Sequence, residues 1–240
     1  MLNKYRGSHL IGAFILLQLI VCLPFINSFP IDLDEPFSIF HAQKDLSDLF
    51  VIFTQENNPP LHFILLHFWI KLFGISPLAV RSLSLIFSII TIPILYQFSK
   101  KIVKQPFAIL VVFLYIFSTQ IHYHSLEART YSLLVLLTVA AFNQLFDFIF
   151  NDKANFFQLA VINALLLYTH YLSGYIILTQ IIILLLFKRN YVRKKIIQAI
   201  ISYILMTILY TPGIWIFMLR LKHFSSQGTW VPEAKLIELP

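Results

Sequence analysis

Charge is scarce in this chain. Only 12% of its 240 residues are Asp, Glu, Lys or Arg, about half the ~25% share of a soluble domain. Meanwhile 58% are hydrophobic and the mean hydropathy is +0.78. This excludes an ordinary water-soluble core. The 24 Phe and the long Ile/Leu runs indicate an integral membrane protein. Cysteine is nearly absent: Cys22 alone, inside the first apolar span, excludes a disulfide framework. There is no extended basic face. The net charge of +7 comes from short basic clusters between apolar segments, as in loops facing the cytoplasm, which argues against a nucleic-acid partner. Repeats and low-complexity tracts are also missing. So is a small-x-small cleavage site after Lys4, Arg6 and the apolar run Leu10–Ile26. That run therefore reads as an uncleaved first membrane helix rather than a signal peptide. Its 17 residues rise about 26 Å, close to the ~30 Å hydrocarbon core.

Six later apolar runs follow: Val80–Phe98, Pro106–Ile121, Tyr131–Phe150, Phe156–Tyr171, Gly174–Phe187 and Ile196–Leu219. With the N-terminus inside and one crossing per run, the inside segments hold Lys4, Arg6, Lys100, Lys101, Lys104, Lys153, Lys188, Arg189, Arg193, Lys194 and Lys195, against Asp147 and Asp152. The outside keeps seven basic and nine acidic residues of the chain's 18 and 11. This asymmetry matches the positive-inside rule. The run Leu61–Phe73 carries His62, His67 and Lys71. At about 20 Å it is too short to cross, so it reads as a juxtamembrane helix along the interface. Phe156 to Phe187 would be ~48 Å as one helix, so two helices with a break near Ser173-Gly174 are expected. The fold class is an all-α integral membrane protein in a single domain, 1–240, with about seven transmembrane helices. A first outer loop over 27–79 carries the acidic motif and the interfacial helix, and an outer tail covers 220–240.

The outer segments carry the candidate chemistry. They are Asp32-Leu33-Asp34-Glu35, then Glu56-Asn57-Asn58-Pro59-Pro60-Leu61-His62, Arg81 at a helix end, His122 to Tyr131 with Glu127 and Arg129, and His170-Tyr171. Arginine offers phosphate a fixed bidentate fork, and a carboxylate can take the proton of an attacking hydroxyl. Carboxylates, arginines and histidines around one surface pocket suit a reaction on a phosphorylated lipid. Simpler roles are open for each. The acidic trio could solvate a loop and cap a helix starting at Pro36. Arg81 could snorkel to the headgroups. His122 and His124 could be interfacial, and no spacing matches a strong metal signature. The acidic loop admits a divalent cation without requiring one.

The order Asp34-Glu35, Asn58-Pro59-Pro60-Leu61-His62-Phe63, Leu72-Phe73-Gly74, Arg81-Ser82-Leu83-Ser84 and Ser125-Leu126-Glu127-Ala128-Arg129-Thr130-Tyr131-Ser132 resembles the GT-C glycosyltransferases. His170-Tyr171 and Trp230-Val231-Pro232 fit the same pattern. The similarity is to the bacterial family 39 type, kin to protein O-mannosyltransferases and the lipid A aminoarabinose transferase, over about residues 10 to 235. The resemblance implies a GT-C module that moves a sugar from a polyprenyl-phosphate donor to an acceptor hydroxyl, with inversion. It makes Asp34 the general base and Glu35 its partner. Arg81 and Arg129 become phosphate-binding or ordering residues, with Glu127, Glu56, Asn58, His62, Tyr131 and His170 around them. Asn58 stands where relatives often carry His.

A plasma-membrane, multi-pass location follows, with the site on the periplasmic or extracellular side and the bilayer and the lipid-linked donor as partners. Relatives usually run longer, so a missing C-terminal half or a partner subunit is expected to complete the chain. The alternative is therefore a catalytically incomplete module that binds lipid phosphate. A transporter ranks behind both, because the crossings carry almost no charge in their middles. The sugar and the acceptor are not specified by the sequence.

Overall fold

A computed structural model of the chain describes residues 2–28, 30–31, 34–55, 58–151, 155–187 and 193–227. Asp32, Glu56, Lys153, Lys188, Arg189 and Trp230-Val231-Pro232 lie outside the described residues. Among the described residues there is no strand. The helices are α1 (Leu2–Cys22), α2 (Glu35–Ala42), α3 (Leu46–Gln55), α4 (Pro60–Phe73), α5 (Pro77–Ile102), α6 (Gln105–Ile116), α7 (Thr119–Ser125), α8 (Tyr131–Phe150), α9 (Phe156–Thr169), α10 (Ser173–Phe187), α11 (Arg193–Leu209) and α12 (Thr211–Gln227).

Local chemistry sets several of these boundaries. Gly74 ends α4 at φ 81°, a conformation few residues other than glycine adopt. Ser76 then caps α5 by accepting from the Ala79 N–H at 3.2 Å, with Pro77 in the first turn. Asn155 caps α9, its Oδ1 accepting from the N–H groups of Phe157 and Gln158 at 2.9 and 3.4 Å.

α5 and α8 form the most extensive helix pair, and polar contacts show that successive helices alternate in direction. At one end Lys101 of α5 donates to Asn143 and Asp147 of α8, each at 2.6 Å, and Lys195 of α11 donates to the Ile149 carbonyl at 3.4 Å. At the other end Thr130 donates to the Thr169 carbonyl at 3.0 Å, and Tyr168 to the Leu209 carbonyl at 3.0 Å. The described lysines Lys101 and Lys195 and the carboxylates Asp34, Glu35 and Glu127 therefore occupy opposite ends of the bundle. On the far side, Phe14, Ile92, Tyr96, Ala108, Val112 and Ile116 pack α1, α5 and α6 together. In the same region Gln18 donates to Ser88 Oγ at 3.1 Å.

Among the described residues two helices, α5 and α8, are each long and apolar enough to cross a membrane. Two bent pairs, α6 with α7 (57°) and α11 with α12 (53°), would each add one broken span. The threading by seven crossings needs the shorter apolar helices His9–Phe25, α9 and α10 to cross as well. The segment 156–187 is two helices, with the chain turning at 170–172. Asn163 and Gln180 exchange amide hydrogen bonds at 2.8 and 3.0 Å across that turn. In one continuous helix they would stand about 25 Å apart, so the chain reverses here.

Elsewhere the structure departs from the sequence reading. The segment 27–79, expected as a loop with one interfacial helix, contains α2 and α3 besides the 14-residue α4. The run Ile196–Leu219 is broken at Tyr210: Pro212, in the first turn of α12, has no N–H to continue the hydrogen-bond ladder of α11, and a Cβ on Gly213 would collide with the Tyr210 ring. After this bend α12 packs on α3, placing Trp215 against Phe50 with ring centroids 5.7 Å apart.

Candidate active site

The site is built on three elements that meet at the carboxylate-bearing end: the start of α2, the N-terminal part of α5 and the 126–130 turn before α8. Asp34 sits in the position that would cap α2, yet its side chain makes no cap hydrogen bond. Pro36 occupies the first turn, as expected of a helix start. The next residue, Glu35, turns inward and is 4% exposed. Its Oε1 accepts from Arg81 Nε at 2.9 Å and from the Ala128 backbone N–H at 2.7 Å, and its Oε2 accepts from an Arg81 terminal nitrogen at 2.6 Å.

Arg81 is 2% exposed and also donates to the carbonyls of Ile26 and Pro30, both at 2.9 Å. A fully desolvated pair is tolerated only when such added hydrogen bonds satisfy both ions. Arg81 is therefore committed to Glu35, neither reaching the headgroups nor open to a substrate phosphate.

Arg129 is arranged differently. Its guanidinium donates to Asp34 Oδ2 at 3.1 Å, to Ser38 Oγ at 3.1 Å and to the Asp34 carbonyl at 3.4 Å. It lies 6.0 Å from the Tyr131 ring centroid, and its Nε is buried without a hydrogen-bond partner. The Asp34 side chain is 68% exposed against 9% for Arg129. One carboxylate thus reaches solvent while its cation is held below it.

Around this pair, His124 Nδ1 is 3.2 Å from Glu127 Oε2, and the His124 ring lies 4.4 Å from Tyr131. Tyr131 in turn stands 6.3 Å from His170. Glu127 pairs with His124 rather than with Arg129, and His122 Nδ1 lies 3.7 Å from Cys22 Sγ. His62 is 1% exposed at the start of α4, and Asn58, just before it, is half-buried. Burial, aided by the Arg129 cation, pushes His62 down to about 3 and lowers His170 as well. Both imidazoles are therefore neutral at pH 7, leaving the guanidinium as the fixed charge between them.

Among the described residues, no group of three His, Cys, Asp or Glu side chains is placed to hold a metal ion. Two cavities lie elsewhere. One of about 440 Å³ is an apolar groove between α10 and α11, and one of about 430 Å³ lies between α5, α8 and α9 beside Asn143. Neither touches a carboxylate of the site, and shape alone does not outweigh paired charges at an exposed rim. Sequence reasoning missed Arg220, whose guanidinium stacks 4.6 Å from the Tyr171 ring centroid next to His170. Its position depends on the direction α12 takes after the bend at Tyr210, which no local signal around Arg220 announces.

The family profile described as dolichyl-phosphate-mannose-protein mannosyltransferase matches residues 57–215. No curated protein and no solved structure matches the chain. The matched stretch contains Arg81, Glu127 and Arg129 but begins after Asp34 and Glu35. Geometry supplies that connection, since Glu35 binds Arg81 and Ala128 while Asp34 binds Arg129. With a match over most of its length, an all-helical bundle and an acid pair docked into the matched segment, the chain belongs to the dolichyl-phosphate-mannose-protein mannosyltransferase family, GT-C-type membrane glycosyltransferases that use a lipid-linked donor.

Proposed function

We propose that this chain transfers a sugar from a polyprenyl-phosphate donor to an acceptor hydroxyl at the outer face of the plasma membrane, with inversion. The observation that carries the proposal is the division of labour between Asp34 and Glu35. Glu35 is buried, saturated with donors and unable to reach a substrate. Asp34 presents its carboxylate at the surface, 3.1 Å from a guanidinium.

In this reading Asp34 is the general base. It takes the proton from the acceptor hydroxyl as that oxygen attacks the anomeric carbon from the side opposite the phosphate. Arg129 stabilises the charge that collects on the departing phosphate. Glu35 and Arg81 are positioning residues: they fix the start of α2 against α5 and the 126–130 turn. Tyr131 and His170 border the substrate space, and Asn58 lies near its floor. His62, buried and neutral, lies within the electrostatic reach of Arg129. Seven crossings, a cytoplasmic N-terminus and an outward site agree with the charge distribution.

The test is transfer from a panel of radiolabelled polyprenyl-phosphate sugars in membranes expressing the chain, with Asp34→Asn as control. Transfer that disappears in the variant supports the proposed base and identifies the donor. Undiminished transfer by Asp34→Asn removes it.

A further inference from the structure

Transfer as proposed above relocates one unit of negative charge. The acceptor oxygen bonds to the anomeric carbon while the bond from that carbon to the phosphate oxygen breaks. The hydroxyl proton goes to Asp34, and the electron pair of the broken bond stays with the phosphate. Asp34 becomes neutral, and the phosphodiester becomes a monoester with one more negative charge. A cation that serves both ends of this step has to follow the charge.

We infer that Arg129 is shared between the two anions: Asp34 holds it in the substrate-free protein, and the donor phosphate draws it away, so that base and donor compete for one guanidinium. This rests on the function proposed above. Three observations carry it. First, the link to Asp34 is a loose one, with a single side-chain contact at 3.1 Å to a carboxylate that is 68% exposed. Such pairs are weakly held in water. Second, the guanidinium has bonding capacity in reserve, because Nε is buried without a partner. Phosphate oxygens use the arginine fork two donors at a time. Third, the neighbouring cation Arg81 cannot substitute, since Glu35 and two backbone carbonyls occupy its nitrogens. Ser38 and the Tyr131 face anchor Arg129 near its present place, so the shift required is a change of partner rather than a large movement.

Competition has a consequence that simple phosphate binding lacks. Neutralising Asp34 releases Arg129 to the phosphate, so the base variant binds donor-like ligands more tightly than the unmodified protein does. Ordinary repulsion between Asp34 and a phosphate would also tighten binding, but it would do so whether or not Arg129 were present.

The experiment measures binding of farnesyl phosphate, with farnesol as the phosphate-free comparator. The full chain is held in phosphatidylcholine nanodiscs as the unmodified protein, D34N, R129Q and the double variant. Expected are a gain of about three- to tenfold for D34N and a loss of about tenfold or more for R129Q. The D34N gain should shrink to within twofold, roughly, once Arg129 is gone. An equal D34N gain in both backgrounds means plain repulsion and overturns the sharing. So does the absence of any D34N gain, or equal binding of farnesyl phosphate and farnesol. Should R129Q fail to fold, R129K serves in its place: it keeps the charge but loses the fork, and part of the D34N gain should be lost with it. Binding is read independently of turnover. A protein that shows the Arg129-dependent gain but never transfers sugar would refute the proposed function and leave the shared arginine standing. Active protein without that gain would do the reverse.

Discussion

Asp34 and Glu35 are neighbours in sequence and face opposite environments. Glu35 is enclosed with Arg81, and every hydrogen bond that holds it comes from the protein. Asp34 stands at the rim with Arg129 beneath it and solvent above. Similar residue types thus form two ion pairs with different work to do. Enclosure makes the inner pair costly to break and chemically inert, whereas exposure makes the outer pair cheap to break and able to exchange partners. A third pair, Lys101–Asp147 at the other end of the bundle, is about a quarter exposed on both sides and shows what an interfacial contact looks like without a site around it.

The sharpest way to break this contrast is to remove one member of the inner pair. Arg81→Ala leaves Glu35 buried without its cation and should cost about 3–5 kcal/mol, read as a loss of folded protein in thermal unfolding. Replacing both with Glu35→Gln and Arg81→Met should recover most of that stability without recovering transfer. Recovered activity in the double variant would show that the inner pair is only scaffolding of one kind among many.

Asp34→Asn should act the other way round, lowering transfer by about 10²–10⁴-fold while unfolding stability changes by less than about 1 kcal/mol. A large stability loss would erase the distinction between rim and interior.

Acid tests the two imidazoles whose protonation the Arg129 cation opposes. His62 and His170 titrate below their ordinary value in the folded protein, so below about pH 6.5 the unfolded chain takes up protons that the folded one refuses. The stability this provides is complete above about pH 6.5 and is lost as the pH falls towards the folded value of His62, about 3. His62→Leu should flatten that slope in unfolding measured from pH 7 down to pH 4. An unaltered slope would mean that His62 is not the group responsible. Smallest of all, Lys101→Ala should cost no more than about 1 kcal/mol and leave transfer intact, as suits a partly solvated pair.

Much of this was legible in the sequence. The all-helical membrane character followed from hydropathy, the division of 156–187 into two helices from its length, and the family from the order of short motifs. The pairing of Glu35 with Arg81 was not, because it closes a separation of 46 residues and depends on how α2 docks against α5. Arg81 accordingly read as a phosphate ligand, a residue ordering the acidic groups or a snorkelling residue, with no sign in the sequence that Glu35 is the carboxylate it holds. A helix starting at Pro36 was one of the open readings and α2 realises it, whereas α3 was hidden, being short and lodged in a stretch whose polar residues suggested a plain loop. The bend at Tyr210 could have been found from Pro212-Gly213, the one local signal in an otherwise continuous apolar run.

The 126–130 turn has a further consequence, one of register. The Ala128 N–H meets Glu35, and the Arg129 side chain meets Asp34, so two adjacent residues on one segment address two adjacent residues on another in antiparallel order. Each segment measures the other. One uncharged residue inserted into either would set the guanidinium against the wrong carboxylate, leaving the helices and the net charge unchanged while exchanging the environments of base and anchor.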